Sequence, residues 1–152
     1  MKHSLVFLLL VLPAIYGFTP HGEGGKRDRD KIVDTAMDYL NTRYRSAGSS
    51  PSGFDCSGFT QYVYDRALKI DLQHGSYLQA KSGKKIKTKK AKKGDLIFFR
   101  KRGEINHVGV ITKIKGPEIW VIHATSSKGV ILEDVNTSSY WRSKIAFVRT
   151  YL

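Results

Sequence analysis

The single cysteine of this sequence, Cys56, is the residue with the clearest potential for chemistry. A thiol attacks a carbonyl group only as a thiolate, and a cysteine whose pKa is about 8.5 is mostly protonated at neutral pH. Cys56 directly follows Asp55, a good helix N-cap, and begins an apolar stripe at helical spacing, so we expect it at a helix N-terminus. The unpaired N–H groups and the helix dipole there favour the thiolate, and a nearby imidazolium would favour it further.

Two histidines have a spacing that could supply this imidazole. His107 begins one predicted strand and His123 ends the next, with a turn near Lys115 between them. Because Lys115 lies midway between the two, hairpin pairing about this turn sets them directly opposite each other. Directly opposed residues have Cβ atoms roughly 4.5–5.5 Å apart, which predicts a hydrogen bond between the rings, as a base and its orienting partner require. A register shift of one residue would instead place them on opposite faces.

Each of these residues could also have a purely structural role. A free cysteine is commonly a small apolar core residue, and a lone histidine is commonly a buried, hydrogen-bonded residue without a catalytic role. A zinc site is a further alternative, but Cys56, His107 and His123 lack the close ligand spacing of common metal motifs. The combination of a helix-capping cysteine and two opposed histidines favours nucleophilic catalysis without a metal or other cofactor.

The elements around these residues predict an α+β domain. Apolar residues from Ile32 to Tyr44 and from Cys56 to Ile70 recur at helical spacing and predict two helices, and a third, short helix is expected over 76–81. β-Branched and aromatic runs follow, separated by turn residues, and they predict five strands: 96–99, 108–114, 119–122, 130–133 and 146–151. Helices followed by an antiparallel sheet are typical of the α+β class.

A lysine-rich run, which we call the lysine segment, precedes the first of these strands. No acidic residue interrupts it, and its lysines are Lys81, Lys84, Lys85, Lys87, Lys89, Lys90, Lys92 and Lys93. The segment is either a solvated loop or a surface that binds an anionic envelope polymer. The formal net charge of the chain, +13, is large enough to steer the protein toward anionic surfaces.

The first residues predict a secretory signal peptide over 1–17. Lys2 precedes an apolar stretch from Leu5 to Leu12, which is shorter than the roughly 20 residues of a membrane-spanning helix. We therefore expect cleavage near residues 14–17, a linker over 18–29 and one domain over 30–152. Because Cys56 is the only cysteine, we expect no lipid anchor on a new N-terminal cysteine. Export also argues against nucleic acid as a partner.

The motifs of the chain together resemble those of the NlpC family of papain-like cell-wall cysteine peptidases. The family's active-site segment is similar to residues 44–58, which read YRSAGSSPSGFDCSG. The remaining motifs occur in the family's order: GDLIFF from Gly94, HVGVI from His107, IHATSSKGV from Ile122, and YW at 140–141. The resemblance covers nearly all of the chain beyond the expected signal peptide, and the combination of DCSG, HVG and IHA is specific.

The resemblance implies a papain-like fold, with N-terminal helices packed on a five-stranded antiparallel sheet. It implies three catalytic roles: Cys56 as nucleophile, His107 as general base, and His123 as the residue that orients the ring of His107. It also implies three substrate-binding residues: Tyr44 at the substrate carbonyl, and Asp55 and Ser57 at the free amine of a short stem peptide. The implied reaction is hydrolysis of peptidoglycan stem peptides at the γ-D-glutamyl bond to diaminopimelate or another diamino acid, through a thioester on Cys56.

The chain departs from the family's pattern in the substrate region. Ser46 and Ala47 replace an aromatic residue and a glycine, and residues 74–76, His-Gly-Ser, stand where an arginine followed by threonine or serine is common. Two other functions therefore stay open: a catalytically weak peptidoglycan-binding module, and an acyl or amide transferase on the same fold. We expect a monomer, exported to the periplasm or the extracellular space.

Overall fold

The computed structural model describes residues 21–152, so the predicted signal peptide lies outside the described residues. The helices are α1 (His21–Met37), α2 (Cys56–Leu68) and α3 (Ser76–Gln79). The strands are β1 (Ser49–Ser50), β2 (Gly53–Phe54), β3 (Lys84–Ile86), β4 (Leu96–Lys101), β5 (Glu104–Lys115), β6 (Glu118–Thr125), β7 (Gly129–Asp134) and β8 (Ile145–Thr150). Within residues 21–152, no helix has both the length and the apolar character that crossing a membrane requires.

The main sheet is antiparallel and has the strand order β3-β8-β4-β5-β6-β7, while β1 and β2 pair separately. This arrangement confirms the predicted α+β class, but the sheet has six strands and not five. The additional strand, β3, lies inside the lysine segment and pairs with β8, with Ile86 opposite Val148. Lys84 and Lys85 give it no apolar alternation, and lysines are typical of exposed sheet edges, so the sequence pattern did not indicate a strand.

Helix α1 begins at His21, so residues 21–29 are helical, whereas the sequence predicted a linker over 18–29. Ile32 and Ala36 of this helix are buried in the core. Arg29 Nη1 donates hydrogen bonds to Oδ1 of Asp95, at 2.7 Å, and to the carbonyl oxygen of Lys93, at 2.9 Å. These contacts join the first half of the helix to the turn before β4, and such tertiary contacts override weak local helix propensity.

Apolar side chains pack on both faces of the main sheet. The larger cluster joins α1 and α2 to the sheet and includes Phe59, Val63, Phe98 and Val110. A smaller cluster contains the buried side chains Ile97, Phe99, Ile111, Ile119, Val121, Val135 and Val148, and Trp141 packs against it. Because successive side chains along a strand point to opposite faces, Phe98 and Phe99 join different clusters.

Candidate active site

Cys56 is the first residue of α2, as predicted, and Asp55 is its N-cap. Asp55 has extended backbone, and its Oδ1 atom accepts hydrogen bonds from the backbone N–H of Gly58, at 2.7 Å, and from Oγ of Ser57, at 3.0 Å. This is the arrangement in which a carboxylate satisfies the free N–H groups of a first helical turn. Cys56 is half-buried at this helix end.

The loop before α2 approaches the helix closely and brings Tyr44 to the same place. A Cβ atom built on Gly58 would lie 2.0 Å from the carbonyl oxygen of Gly48, so only glycine allows this approach. Tyr44 forms a parallel bridge with Phe54, two residues before Cys56. The sequence predicted that the first helix reaches Tyr44, but in the structure α1 ends at Met37. Tyr44 therefore lies beyond the helix, in this bridged segment.

The two histidines are hydrogen-bonded, with 2.8 Å between Nε2 of His107 and Nδ1 of His123. The predicted contact is therefore present, but the predicted register is wrong. Val110 pairs with Ile122, so the residue opposite His123 is Gly109, and His107 is its diagonal neighbour. Diagonal neighbours on one face are within reach of long and aromatic side chains.

A β-bulge at Thr112 puts both histidines on one face. Ile111 pairs with Val121 and Lys113 pairs with Trp120, which leaves Thr112 as an extra residue on β5. Without this bulge, the register at the turn would set Val110 opposite His123. His107 would then point to the other face of the sheet.

Gly109 provides the space in which the His123 side chain lies. A Cβ atom built on Gly109 would lie 2.5 Å from Cγ1 of Val121 and 2.9 Å from Cβ of His123. His123 is fully buried, so its ring has no solvent to move into. A glycine at this position therefore allows β5 and β6 to hold the imidazole beside His107.

Two residues without a predicted catalytic role complete this group. Oε1 of Glu133 lies 2.9 Å from Nε2 of His123, and it accepts a hydrogen bond of 2.8 Å from the indole Nε1 of Trp141. The indole stacks on the ring of His107, with ring centroids 4.7 Å apart and an angle of 22° between the planes. In the sequence, Trp141 stood out only as part of the YW motif at 140–141. Alternation along β7 places Glu133 on the face of Ile131, the partner of His123, but that pairing is visible only in the structure.

Burial shifts the pKa values of Cys56 and His107 in the directions that favour their neutral forms. Burial raises the pKa of the Cys56 thiol to about 11, and the charge of Asp55 adds to the rise, while backbone hydrogen-bonding groups of Val108, Ser57 and Cys56 offset part of it. Burial, with the neighbouring His123, lowers the pKa of His107 to about 3. With these pKa values, the Cys56 thiol and the His107 imidazole are both uncharged at neutral pH.

One cleft of about 490 Å³ is bordered by Cys56, His107, Glu133 and Trp141, with Tyr44 at its rim. Burial raises the pKa of Tyr44, and the charge of Asp55 also raises it, so the phenol stays a hydrogen-bond donor at neutral pH. Three lysines also line this cleft: Lys101, Lys128 and Lys144. Within residues 21–152, no three His, Cys, Asp or Glu side chains are grouped closely enough to hold a metal ion.

The structure does not bring Asp55 and Ser57 to the lining of this cleft. Ser57 is buried and bonded to Asp55, as described above. The second carboxylate oxygen of Asp55, Oδ2, lies 2.8 Å from Nε2 of His74. Both oxygens of Asp55 therefore have partners, and His74 occupies one of them.

Comparison with known proteins adds to this geometry. A model of the NlpC/P60 family matches residues 41–150. The chain is 33% identical over 124 residues to "Murein DD-endopeptidase MepS/Murein LD-carboxypeptidase" of Escherichia coli, and 37% identical over 111 residues to "Gamma-DL-glutamyl hydrolase" of Bacillus subtilis. These alignments cover 82% and 72% of this chain but 63% and 27% of the relatives, so the chain spans less than two thirds of either relative.

A solved structure gives the same match. The NlpC/p60 domain of the peptidoglycan hydrolase SagA superposes with a TM-score of 0.68 at 33% sequence identity. The superposition covers 80% of this chain and 97% of that domain. The helices and antiparallel sheet that carry Cys56, His107 and His123 are therefore those of this family's fold.

Proposed function

Since this chain belongs to the NlpC/P60 family, as its motifs predicted, we propose that it is a cysteine peptidase that hydrolyses peptidoglycan stem peptides. The observation that carries the proposal is that Cys56 and His107 border one cleft, with His107 hydrogen-bonded to the buried His123. The names of the two curated relatives, a murein endopeptidase and a glutamyl hydrolase, support the same class of reaction.

In the proposed mechanism, His107 takes the proton of the Cys56 thiol as the sulfur attacks the carbonyl carbon of the substrate. The tetrahedral intermediate collapses, the C–N bond breaks, and His107 returns the proton to the leaving amine, which leaves a thioester on Cys56. Water then attacks the thioester carbonyl and gives its proton to His107. Cleavage of the C–S bond releases the acid, and the sulfur recovers the proton from His107.

The proposed mechanism also assigns donors to the oxygen that gains charge during attack. Backbone N–H groups of Cys56 and Ser57, at the start of α2, hydrogen-bond to the Cys56 sulfur, and Tyr44 lines the same cleft. Donors that are already in place stabilise a developing oxyanion without reorganisation. Tyr44 is accordingly proposed to bind the substrate carbonyl.

The proposed scissile bond joins the γ-carboxyl of D-glutamate to diaminopimelate or another diamino acid. This bond leaves the free α-carboxylate of the glutamate close to the reacting carbonyl. Lys101, Lys128 and Lys144 line the cleft and would attract such carboxylates, since opposite charges in a partly enclosed site interact more strongly than in bulk water. Asp55 and Ser57 are proposed to hold the free amine of the stem peptide, in place of the present His74 contact.

The proposed setting is the cell envelope. A signal peptide over 1–17 would export a single domain, predicted over 30–152, to the periplasm or the extracellular space as a monomer. The lysine segment is proposed to bind an anionic envelope polymer, because it forms the exposed edge of the sheet and the turn that follows.

A second candidate is a peptidoglycan-binding module with little turnover. It is favoured by the raised pKa of Cys56, since a thiol with a pKa of about 11 is almost wholly protonated at neutral pH. In this case the cleft and its lysines would bind stem peptides that Cys56 does not attack.

Mass spectrometry of defined stem peptides separates these candidates. The peptides are L-Ala-γ-D-Glu-diaminopimelate with and without a terminal D-Ala, incubated with wild type and with Cys56→Ala. Cleavage after D-Glu by wild type alone supports the peptidase. Binding of the peptides by both proteins without products supports the binding module, and a product in which an added amine replaces water indicates a transferase.

A further inference from the structure

We infer that Glu133 is a positioning residue that fixes the tautomers and ring orientations of both histidines in the active site. The inference rests on the proposed function for the catalytic role of His107, but the arrangement of the residues does not depend on it. Glu133 is the one residue that contacts both His123 and Trp141 through a single carboxylate oxygen, Oε1, among the hydrogen bonds of residues 21–152.

The hydrogen bonds define one proton arrangement. A carboxylate only accepts hydrogen bonds, so the bond of 2.9 Å to Glu133 places the proton of neutral His123 on Nε2. Nδ1 of His123 then has a free lone pair and accepts the hydrogen bond of 2.8 Å from Nε2–H of His107. Neutral His107 therefore carries its proton on Nε2, and its Nδ1 atom is left unprotonated and available as the base.

The ionisation of Glu133 agrees with this direction of donation. The hydrogen bond from His123 lowers the pKa of the Glu133 carboxyl, and the indole of Trp141 and the charge of Lys128 also lower it. The residue is therefore an acceptor at neutral pH. A protonated or amide side chain could donate to His123 and would permit the opposite tautomers in both rings.

The second contact of Glu133 acts on the other side of His107. Oε1 accepts a hydrogen bond from Trp141, and the Trp141 indole stacks on the His107 imidazole at a centroid distance of 4.7 Å. The ring of His107 is thus held by a hydrogen bond from its Nε2 edge and by stacking on its face. The two residues that make these contacts, His123 and Trp141, are both hydrogen-bonded to Oε1 of Glu133.

The strand register explains how the side chain of Glu133 reaches His123. His123 pairs with Ile131, and Val121 pairs with Glu133, so Glu133 is the diagonal neighbour of His123 across β6 and β7. The glutamate side chain is long enough to reach back to Nε2 of His123. A side-chain exposure of 31% leaves Glu133 at the cleft wall and not in the core, so an ionised group is tolerated there.

Three variants test the inference. Glu133→Ala removes both contacts, and Glu133→Gln keeps the size and an acceptor oxygen but loses the charge and gains a donor. Glu118→Gln is the matched control, because Oε2 of Glu118 accepts a hydrogen bond of 2.9 Å from the indole of Trp120 at the far end of the hairpin. Folding of each variant is compared with wild type by circular dichroism and thermal unfolding.

Two measurements need no substrate. Imidazole ¹⁵N chemical shifts report the tautomers, and wild type should show His107 and His123 each protonated on Nε2 only. The rate of Cys56 alkylation by iodoacetamide reports the base at the thiol. We expect Glu133→Ala to give mixed tautomers and slower alkylation, Glu133→Gln to change both in the same direction by less, and Glu118→Gln to match wild type.

With the stem peptide as substrate, we expect kcat of Glu133→Ala to fall roughly 10–100-fold while KM changes less than about threefold, since the carboxylate acts through His107 and not on the substrate. Unchanged ¹⁵N shifts and alkylation in a folded Glu133→Ala or Glu133→Gln protein would overturn the inference. If wild type cleaves no stem peptide, the proposed function fails, and the two substrate-free measurements still decide the role of Glu133.

Discussion

His107 and His123 are hydrogen-bonded although they are not opposite each other on their strands: the residue opposite His123 is Gly109. The contact is diagonal, and it exists because a bulge absorbs one surplus residue, Thr112, and so keeps the two side chains on the same face. The geometry of the proposed active site therefore depends on a bulge in β5 that lies outside the cleft. Bulges are common next to active sites, where they change the direction of a side chain.

At its present length, β5 needs the bulge at Thr112 to bring the two histidines together, but a strand shortened by deletion of Thr112 should keep the histidine pair without a bulge. Removing the unpaired residue converts β5 and β6 to a regular ladder in which Gly109 still faces His123. We expect activity within about threefold of wild type and a loss of roughly 1 kcal/mol for the hydrogen bond from Oγ1 of Thr112 to the carbonyl of Trp120. Activity assays and urea unfolding measure both, with Thr112→Ala as the control that keeps the bulge. Loss of activity on deletion alone would show that the bulge has a further role.

Substitution of Gly109 by alanine should damage both folding and catalysis. The new methyl group would lie 2.5 Å from Cγ1 of Val121 and 2.9 Å from Cβ of His123, so the strands or the imidazole must move. We expect a loss of about 1–3 kcal/mol in the free energy of unfolding and a lower kcat. Gly25→Ala is the control, because a Cβ atom there meets nothing within 4 Å and alanine favours the helix. Equal effects of the two substitutions would contradict the prediction.

The stability of the protein should depend on pH through His107. Folding lowers the pKa of His107 from 6.5 to about 3, so between these values the unfolded state binds a proton that the folded state does not. The free energy of unfolding therefore falls as pH is lowered through this window, by at most about 1.4 kcal/mol per pH unit from this residue. Urea unfolding of wild type and His107→Gln from pH 7 to pH 4 measures the difference. Parallel curves for the two proteins would show that His107 makes no such contribution.

Alkylation of Cys56 should rise steeply with pH. The thiol has a pKa of about 11, so the fraction present as thiolate increases about tenfold for each pH unit between pH 7 and pH 10. The rate of reaction with iodoacetamide, followed by mass spectrometry of the intact protein, measures this fraction. A plateau that begins below pH 8 would instead indicate that the thiolate is stabilised by an imidazolium at rest.

The cleft lysines should recognise the α-carboxylate of D-glutamate. Substituting Lys128 by alanine is expected to raise KM several-fold for a stem peptide that contains D-glutamate. The same change should have little effect on the matching peptide with D-isoglutamine, in which an amide replaces the carboxylate. Lys113→Ala, outside this cleft, is the control for the loss of one positive charge. Equal effects on both peptides would show that Lys128 does not recognise the carboxylate.

The contact between His74 and Asp55 should limit the binding of a peptide amine. In His74→Ala, Oδ2 of Asp55 loses its partner and becomes free to accept from the substrate. We expect KM to fall for a stem peptide with a free N-terminal amine and to stay constant for the N-acetylated peptide. A fall for both peptides, or for neither, would argue against Asp55 as the amine-binding residue.

The sequence by itself determined the features that depend on neighbours along the chain. Cys56 begins α2 because the side chain of Asp55 caps that helix by accepting a hydrogen bond from the backbone N–H of Gly58. This signal is complete within a few residues of the sequence. The α+β class follows from apolar periodicity, which is also local. The family was recognisable because its motifs contain these same local features in a fixed order.

Only the tertiary structure decided how the strands pair and which charged residues meet. The histidine contact depends on a bulge that absorbs Thr112, and an apolar pattern that accommodates a bulge does not reveal where the bulge lies. The role inferred for Glu133 depends on the register of β7 against β6. Strand β3 forms because its backbone pairs with β8. Pairing energies of this kind arise between residues distant in sequence, so they become visible only when the chain is folded.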